Sequence, residues 1–396
     1  MKNVPSKWAR RQPSFKVMEV LKRARELERE GRRVIHFEVG EPDFPTASVI
    51  VEAGKRALDD GHTGYTEALG IPELRNKIAH DYRTRFGINI ESSRIAVTSG
   101  ASGALNLLFS VLLNPGDRVL MSDPGYPCNE AFVRLVGGEP IRMPVDERTG
   151  YQPTVEIVKE DWTADTVGVV LATPSNPTGA MIKTAQLEAI HDFVAERQGF
   201  VMVDEIYQGL VYEPDMDEVA TSSLAIDPGL IVVNSFSKYF GMTGWRLGWC
   251  VVPDPLTEAL ERAAQNLYIA PSIVAQYAAL AAYSREGFSV SEERRLRFQR
   301  RRDLMYEGLL DAGLEVPLKP EGACYLYANI SSSGIDAETF SARLIEEYQV
   351  AVTPGTDFGS YRAQDHVRFA YTANEQDISR GVEQVGQAIR RFQNEV

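Results

Sequence analysis

The sequence is poor in cysteine, in positive charge and in long apolar runs, and each shortage excludes a class of protein. Its 3 cysteines are scattered and form no CxxC pair, so we expect neither a disulfide framework nor a thiolate zinc site. Lys and Arg total 42 against 55 Asp and Glu. The net charge of −13 argues against nucleic acid or an anionic membrane as the main partner. No apolar run has the length of a membrane span, and the charged start lacks the apolar core of a signal peptide, so we expect a cytoplasmic protein.

Short apolar runs alternate with helical patterns through the middle of the 396 residues. Residues 94–97, 167–171, 201–203 and 230–233 have the composition of buried strands, and helical periodicity lies between them. Fully apolar strands separated by helices are typical of a parallel sheet that is covered on both faces. The sequence therefore predicts an α/β domain, which we place at residues 46–288.

The two ends of the chain have a different pattern. Residues 14–31 have the pattern of a charged amphipathic helix, and we assign residues 1–45 to an N-terminal arm and helix that joins a smaller domain. A helical stretch, separated strands and a last helix predict a small α+β domain at residues 289–396.

The helical stretch that begins near residue 289 is rich in arginine, which could indicate a nucleic-acid patch. Glu292, Glu293 and Asp303 are interleaved with the arginines, and the whole chain is acidic. We therefore expect a solvated helix face.

The segment 235–249 (SFSKYFGMTGWRLGW) carries the strongest chemical signal in the chain. It leaves a predicted strand with hydroxyls, glycines and two cations, which suit a phosphate, and Arg246 can bind a phosphate through two N–H groups. Lys238 lies among aromatic residues. Burial beside another cation lowers the pKa of a lysine and makes its amine a usable nucleophile.

Four further segments follow predicted strands of the same sheet. They are Asp204 with Tyr207, residues 123–127 around Tyr126, residues 175–179 around Asn176, and residues 98–103. The carboxyl ends of parallel strands form the ligand-binding edge of an open α/β sheet. The last segment opens a helix but is not GxGxxG, which argues against a nicotinamide-dependent dehydrogenase.

These motifs, in this order, resemble the class I/II aminotransferases, which are pyridoxal 5'-phosphate (PLP) enzymes with the aspartate aminotransferase fold. The resemblance extends from residues 39–44 (VGEPDF) to residues 367–369 (VRF), and segment 235–249 is its most specific part. It implies PLP fold type I, with a large domain built on a mostly parallel sheet and a smaller α+β domain. It also implies a homodimer that transfers the amino group of an L-amino acid to a 2-oxo acid by a ping-pong mechanism.

The resemblance assigns roles to individual residues. Lys238 would hold PLP as an aldimine and move the substrate proton, Asp204 would pair with the ring nitrogen, and Tyr207 would bond to the ring oxygen. The other residues that it places around the cofactor are Ala101, Ser102, Tyr126, Asn176, Ser235, Ser237, Arg246 and, from the neighbouring subunit, Tyr65.

The resemblance also assigns Arg368 to the substrate carboxylate, with Gly40 and Asn176 beside it. In residues 366–371, period-2 alternation places Arg368 on the face opposite Val367 and Phe369. The substrate itself stays open. Ser102 stands where some aspartate-using relatives have a lysine, and Tyr325 and Tyr327 are interpreted either as pocket walls or, by default, as core.

Two alternatives share parts of this pattern. A PLP-dependent C–S β-lyase would have the same fold and cofactor, although residues 242–246 (MTGWR) favour a transaminase. Transcription regulators with such a domain need a further N-terminal region for a helix-turn-helix, which we do not find. The five histidines show neither metal spacing nor a nucleophile partner, and Cys128 receives no role.

Overall fold

The computed structural model describes residues 4–212 and 218–395, in which helices and strands alternate along most of the chain. The helices are α1 Lys7–Arg11, α2 Lys16–Arg29, α3 Ser48–Asp59, α4 Pro72–Phe86, α5 Gly100–Leu112, α6 Pro127–Leu135, α7 Val155–Asp161, α8 Thr184–Ala195, α9 Asp254–Leu267, α10 Ile273–Ala282, α11 Arg285–Asp311, α12 Ala337–Tyr348 and α13 Glu375–Glu395. The strands are β1 Ile35–His36, β2 Ile95–Thr98, β3 Arg118–Asp123, β4 Glu139–Pro144, β5 Thr166–Ala172, β6 Phe200–Asp204, β7 Ile231–Ser235, β8 Gly248–Val251, β9 Tyr325–Asn329, β10 Val350–Ala351, β11 Thr353–Pro354 and β12 His366–Ala370.

Seven strands form the main sheet, in the order β2-β8-β7-β6-β5-β3-β4. The five strands from β3 to β7 run parallel, as the sequence predicts. Strand β8 is antiparallel to both of its neighbours, β7 and β2. Antiparallel neighbours need no long crossover. The Lys238 segment is therefore the whole connection between β7 and β8.

Alternate residues of the central strands enter two separate apolar cores. In β6, Val201 and Val203 pack in one core and Met202 packs in the other. In β5, Val169 and Val170 divide in the same way. Because successive side chains of a strand point to opposite faces, this division confirms that the sheet is covered on both faces.

Two smaller sheets bring distant parts of the chain together. Strands β11, β12 and β9 form an antiparallel sheet, and β1 pairs in parallel with β10. The start of the chain is therefore fixed to its last quarter. The division at residues 45 and 288 stays a prediction, and residue 289 lies inside the continuous helix α11.

The expectation of a solvated arginine-rich face is wrong for two residues of α11. Arg301 and Arg302 are 2% and 5% exposed. Arg301 donates to both carboxylate oxygens of Asp43, at 2.7 and 3.0 Å, and Arg302 donates to the Pro320 carbonyl at 3.0 Å. A buried guanidinium needs such partners, and Asp43 and Pro320 both lie outside α11, so a charge pattern along the helix does not reveal them.

In the part of the chain that the structure describes, no helix combines the length and the apolar character that crossing a membrane requires. The same residues include no group of three or more His, Cys, Asp or Glu side chains arranged to bind a metal ion.

Candidate active site

A cavity of about 290 Å³ lies at the carboxyl ends of the central strands. Every site residue that the sequence predicts lines it except Tyr65, which is 84% exposed. The cavity residues from this set are Gly40, Ala101, Ser102, Tyr126, Asn176, Asp204, Tyr207, Ser235, Ser237, Lys238, Arg246 and Arg368. The five strand-end segments and the arginine of β12 therefore converge on one place.

Lys238 lies deep in this cavity. Its Nζ donates to the Gly40 carbonyl at 2.7 Å and lies 5.6 Å from the centre of the Tyr207 ring. Burial lowers the pKa of Lys238, and the nearby Arg368 and Arg246 guanidiniums lower it further. The structure therefore shows a lysine whose amine gives up its proton more readily than an exposed lysine does.

The aromatic residues next to Lys238 in sequence do not surround it as expected. The Phe236 ring packs against Phe240, Trp249 and Tyr283 in the core. The ring near the lysine ammonium comes from Tyr207 instead, because β6 and β7 are adjacent in the sheet and their carboxyl ends meet.

Asp204, at the end of β6, is a buried carboxyl with one backbone partner. Its Oδ1 accepts from the Ile206 N–H at 3.1 Å. Burial raises the pKa of Asp204 to about 7. The hydrogen bond from Ile206 and the charge of Lys238 act in the opposite direction and lower this pKa. A cationic N–H group placed against this carboxyl would favour its ionised form.

The start of α5 and the β7–β8 connection form a cradle with little free space. A Cβ atom at Gly100 would lie 2.6 Å from the Arg246 guanidinium, and one at Gly248 would lie 2.8 Å from the Ala101 nitrogen. Ser235 Oγ accepts from the Ser237 N–H at 3.0 Å. A helix N-terminus with hydroxyls and a guanidinium is a suitable place for a phosphate.

Arg368 is 4% exposed and lines the same cavity. Its Nη1 donates to Asn176 Oδ1 at 2.9 Å, and its Nη2 donates to the Glu38 carbonyl. Its Nε is buried and has no hydrogen-bond partner among the described residues. The guanidinium lies 4.2 Å from the Tyr325 ring centre and 4.7 Å from that of Phe358. A guanidinium held in this way can bind a carboxylate through two N–H groups.

Tyr325, which the sequence assigns by default to the core, lines the cavity. Its hydroxyl shares a 2.7 Å hydrogen bond with Tyr207, and burial raises the pKa of both phenols. Tyr327, two residues on, packs instead between Tyr151 and His366. All of β9 is buried, so alternation in the sequence could not show which tyrosine faces the cavity.

The N-terminal segment supplies a wall that the sequence did not predict. Phe15, Val17 and Met18 line the cavity at the start of α2. The Phe15 ring meets the Tyr126 ring edge to face, with 6.4 Å between their centres.

The profile of the family described as aminotransferase class I and II matches residues 32–385. The chain belongs to this family. It is a PLP-dependent transaminase that transfers an amino group between an amino acid and a 2-oxo acid by a ping-pong mechanism, as the sequence predicts.

Curated relatives and solved structures agree with this assignment. The chain is 36% identical to (5-formylfuran-3-yl)methyl phosphate transaminase of Methanocaldococcus jannaschii, over 96% of this chain and 97% of the relative. It is 34% identical to valine–pyruvate aminotransferase of Mycobacterium tuberculosis, over 94% and 96%. Thermus thermophilus aspartate aminotransferase with maleate has a TM-score of 0.91 at 33% identity, covering 98% of this chain and 100% of that one. These neighbours confirm the fold type I architecture.

The residues in the cavity fit PLP. They provide a buried amine of lowered pKa, a buried carboxyl, a phosphate cradle whose glycines leave no room for a Cβ, and Tyr126 as an aromatic ring. The unpartnered Nε of Arg368 leaves a donor for a substrate carboxylate.

Proposed function

We propose that this cavity is the transaminase active site and that Lys238 is its catalytic base and PLP attachment point. When bound, PLP supplies an electron sink for charge that develops at the substrate Cα. The Lys238 amine would take the proton from Cα and return it to the cofactor side. The observation that carries the proposal is the position of Lys238 in a cavity that Asp204, Arg246 and Arg368 also line, where its Nζ donates to the Gly40 carbonyl and burial lowers its pKa.

The remaining predicted residues would bind different parts of PLP. Asp204 would hold a proton on the ring nitrogen, which offsets the cost of burying its carboxyl. Tyr207 and Asn176 would donate to the ring oxygen. The phosphate would bind in the cradle, and Tyr126 would stack on the ring. The cradle residues are Ala101, Ser102, Ser235, Ser237 and Arg246.

Arg368 would bind the α-carboxylate of the amino acid. Asn176 orients its Nη1 at 2.9 Å, and the Tyr325 and Phe358 rings hold the guanidinium plane. The backbone of Gly40 would lie beside the bound amino acid, because its carbonyl accepts a hydrogen bond from the Lys238 amine. This arrangement would orient Cα toward the lysine amine.

The working unit that we propose is a homodimer in the cytoplasm. Tyr65 is a large aromatic side chain at 84% exposure, and Leu267 and Ile269 are also about half exposed. Exposed apolar side chains of this kind mark interaction surfaces when they lie together. Tyr65 would contribute its hydroxyl to the phosphate of the neighbouring subunit.

The test is an absorbance titration of the purified, PLP-loaded enzyme with single amino acids. We expect the visible band of the bound cofactor to disappear with an amino acid and to return with a 2-oxo acid. Lys238→Ala should lack this cycle, while Lys77→Ala, at an exposed position of α4, should retain it.

Two results would contradict the proposal. A Lys238→Ala enzyme with near-normal transamination would remove Lys238 from the chemistry. A band that recovers unaided while ammonia is released would show a lyase and not a transaminase.

A further inference from the structure

A second cavity of about 190 Å³ adjoins the active-site cavity. The two share Phe15, Tyr126 and Asn176 in their walls. Since the Phe15 and Tyr126 rings meet edge to face, this pair of rings stands at the junction between the cavities. A group that extends from the active site past these rings would enter the second cavity.

The size and lining of the second cavity suit a ring. A cavity of about 150 Å³ with apolar walls is large enough for benzene. Much of the wall is apolar, with contributions from Pro13, Met121, Pro124, Val170, Leu171 and Phe358. Burial of a ring against such a wall is favourable because apolar surface leaves water.

The charged side chains of this wall already have partners, which argues against a charged occupant. Glu130 accepts from Arg134 at 2.6 Å and from Arg142 at 2.5 Å. Lys16 pairs with Glu338 outside the cavity. Asp357 accepts the backbone N–H groups of Lys16 and Val17.

Two polar atoms of the wall lack a hydrogen-bond partner among the described residues. They are Oδ1 of Asn129, a residue that is 7% exposed, and Nε2 of Gln12. One is an acceptor and the other a donor. A buried polar atom without a partner costs free energy, so a ligand that supplies the missing donor and acceptor would bind there.

We propose that the second cavity is a subsite for the outer part of the substrate side chain. The enzyme would take amino acids whose side chain has a ring-sized apolar body and ends in a neutral hydrogen-bonding group. This inference rests on the proposed active site, because Arg368 must first fix the α-carboxylate. Asn176 accepts from Arg368 and borders both cavities, so a carboxylate that Arg368 holds would place Cα close to their junction.

The test compares half-reactions of the PLP-loaded enzyme with L-alanine, L-phenylalanine and L-tyrosine. L-Alanine does not reach the second cavity, L-phenylalanine fills it without a polar end, and L-tyrosine adds a hydroxyl. We expect Asn129→Leu to lower kcat/KM for L-tyrosine by about tenfold or more, as the loss of a buried hydrogen-bond partner does. L-Alanine should stay within about twofold, because this substitution changes only the outer cavity.

Asn266→Leu, on the exposed face of α9, is the matched control and should leave all three amino acids unchanged. Gln12→Leu, outside the helices, gives a second variant should Asn129→Leu fail to fold, and it should show the same loss for L-tyrosine. Equal losses for L-alanine and L-tyrosine, or a wild-type enzyme that reacts with L-alanine alone, would overturn the subsite. A wild-type enzyme that reacts with no amino acid would instead overturn the proposed active site, and the subsite with it.

Discussion

Gly40 lies where the backbone of the N-terminal segment comes closest to the Tyr325 side chain. A Cβ atom at this position would lie 1.7 Å from the Tyr325 hydroxyl oxygen and 2.7 Å from an atom of its ring. The Gly40 carbonyl also accepts from Lys238 at 2.7 Å. One glycine therefore allows the lysine, the phenol and the backbone to share a small volume.

We expect Gly40→Ala to displace Tyr325 and to break its hydrogen bond to Tyr207. Overpacking of this kind costs about 1–3 kcal/mol of stability. The free energy of unfolding should fall by that amount in denaturant titrations, and KM for the amino acid should rise because Arg368 loses the ring on which it lies.

Gly244→Ala is the matched control, since nothing lies within 4 Å of a Cβ built at Gly244. This second substitution should leave both quantities near their wild-type values. Equal effects of the two variants would show that close contact at Gly40 is not the cause.

Some functional and buried residues could be identified from the sequence, and others could not. Asp204 and Lys238 could be selected because each stands at or just after a strand end in a distinctive local pattern, and Arg368 because it alternates with apolar residues along β12. Tyr325 and Arg301 could not, because their surroundings come from other parts of the chain. A buried strand shows no alternation, and a charged helix does not show which of its arginines meets a distant carboxylate.

At the scale of elements, His36 in β1 pairs with two carboxylates, one in α2 and one two residues further along the chain. Its Nε2 lies 3.1 Å from Glu28 Oε1 in α2, and its Nδ1 lies 2.7 Å from Glu38 Oε1. Glu38 is fully buried, and its carbonyl accepts from Arg368. The hydrogen bond to Glu38 is the main reason that the pKa of His36 rises from 6.5 to about 9.

This raised pKa predicts a pH-dependent contribution to stability. The folded protein keeps a proton on His36 that the unfolded chain loses above pH 6.5, so the stabilisation is complete below that pH and disappears as the pH rises through about 9. Wild type should exceed His36→Gln in free energy of unfolding at low pH, and the difference should vanish above about pH 9. A difference that is independent of pH would assign the effect to packing.

Four strands of the main sheet (β2, β5, β6 and β7) could be predicted, because their apolar runs are short and turns or helices bound them. Strands β3, β4 and β8 were not predicted, and neither was the orientation of β8. A strand of four apolar or aromatic residues fits either direction, and only the short connection after β7 favours the antiparallel pairing that the structure shows. Helix α11 was placed correctly as a helix, but the composition did not show where it begins.

At the scale of the whole molecule, the exposed Tyr65 predicts that two chains build each site. Loss of one hydrogen bond to a charged phosphate is worth about 1.5–3 kcal/mol, so Tyr65→Phe should weaken PLP binding about tenfold or more. Sedimentation should give twice the chain mass of 44.0 kDa.

Mixed dimers test whether Tyr65 acts across the interface. When Tyr65→Phe and Lys238→Ala chains are combined, a mixed dimer has one site with an intact Lys238 and an intact Tyr65 from the other chain. That site should recover the PLP affinity of wild type. No recovery in mixed dimers would place Tyr65 outside the site of the neighbouring subunit.

The pairing of β1 with β10 also sets the order in which the molecule can be completed. Ile35 pairs with Val350, and the Arg368 side chain bonds to the Glu38 carbonyl across 330 residues of chain. At synthesis rates of about 5–20 residues per second, the N-terminal segment leaves the ribosome roughly 15–60 s before its partners do. During this interval the segment that carries Gly40 has no strand to join. The carboxylate-binding part of the cavity therefore cannot be completed before β10 and β12 have been synthesised.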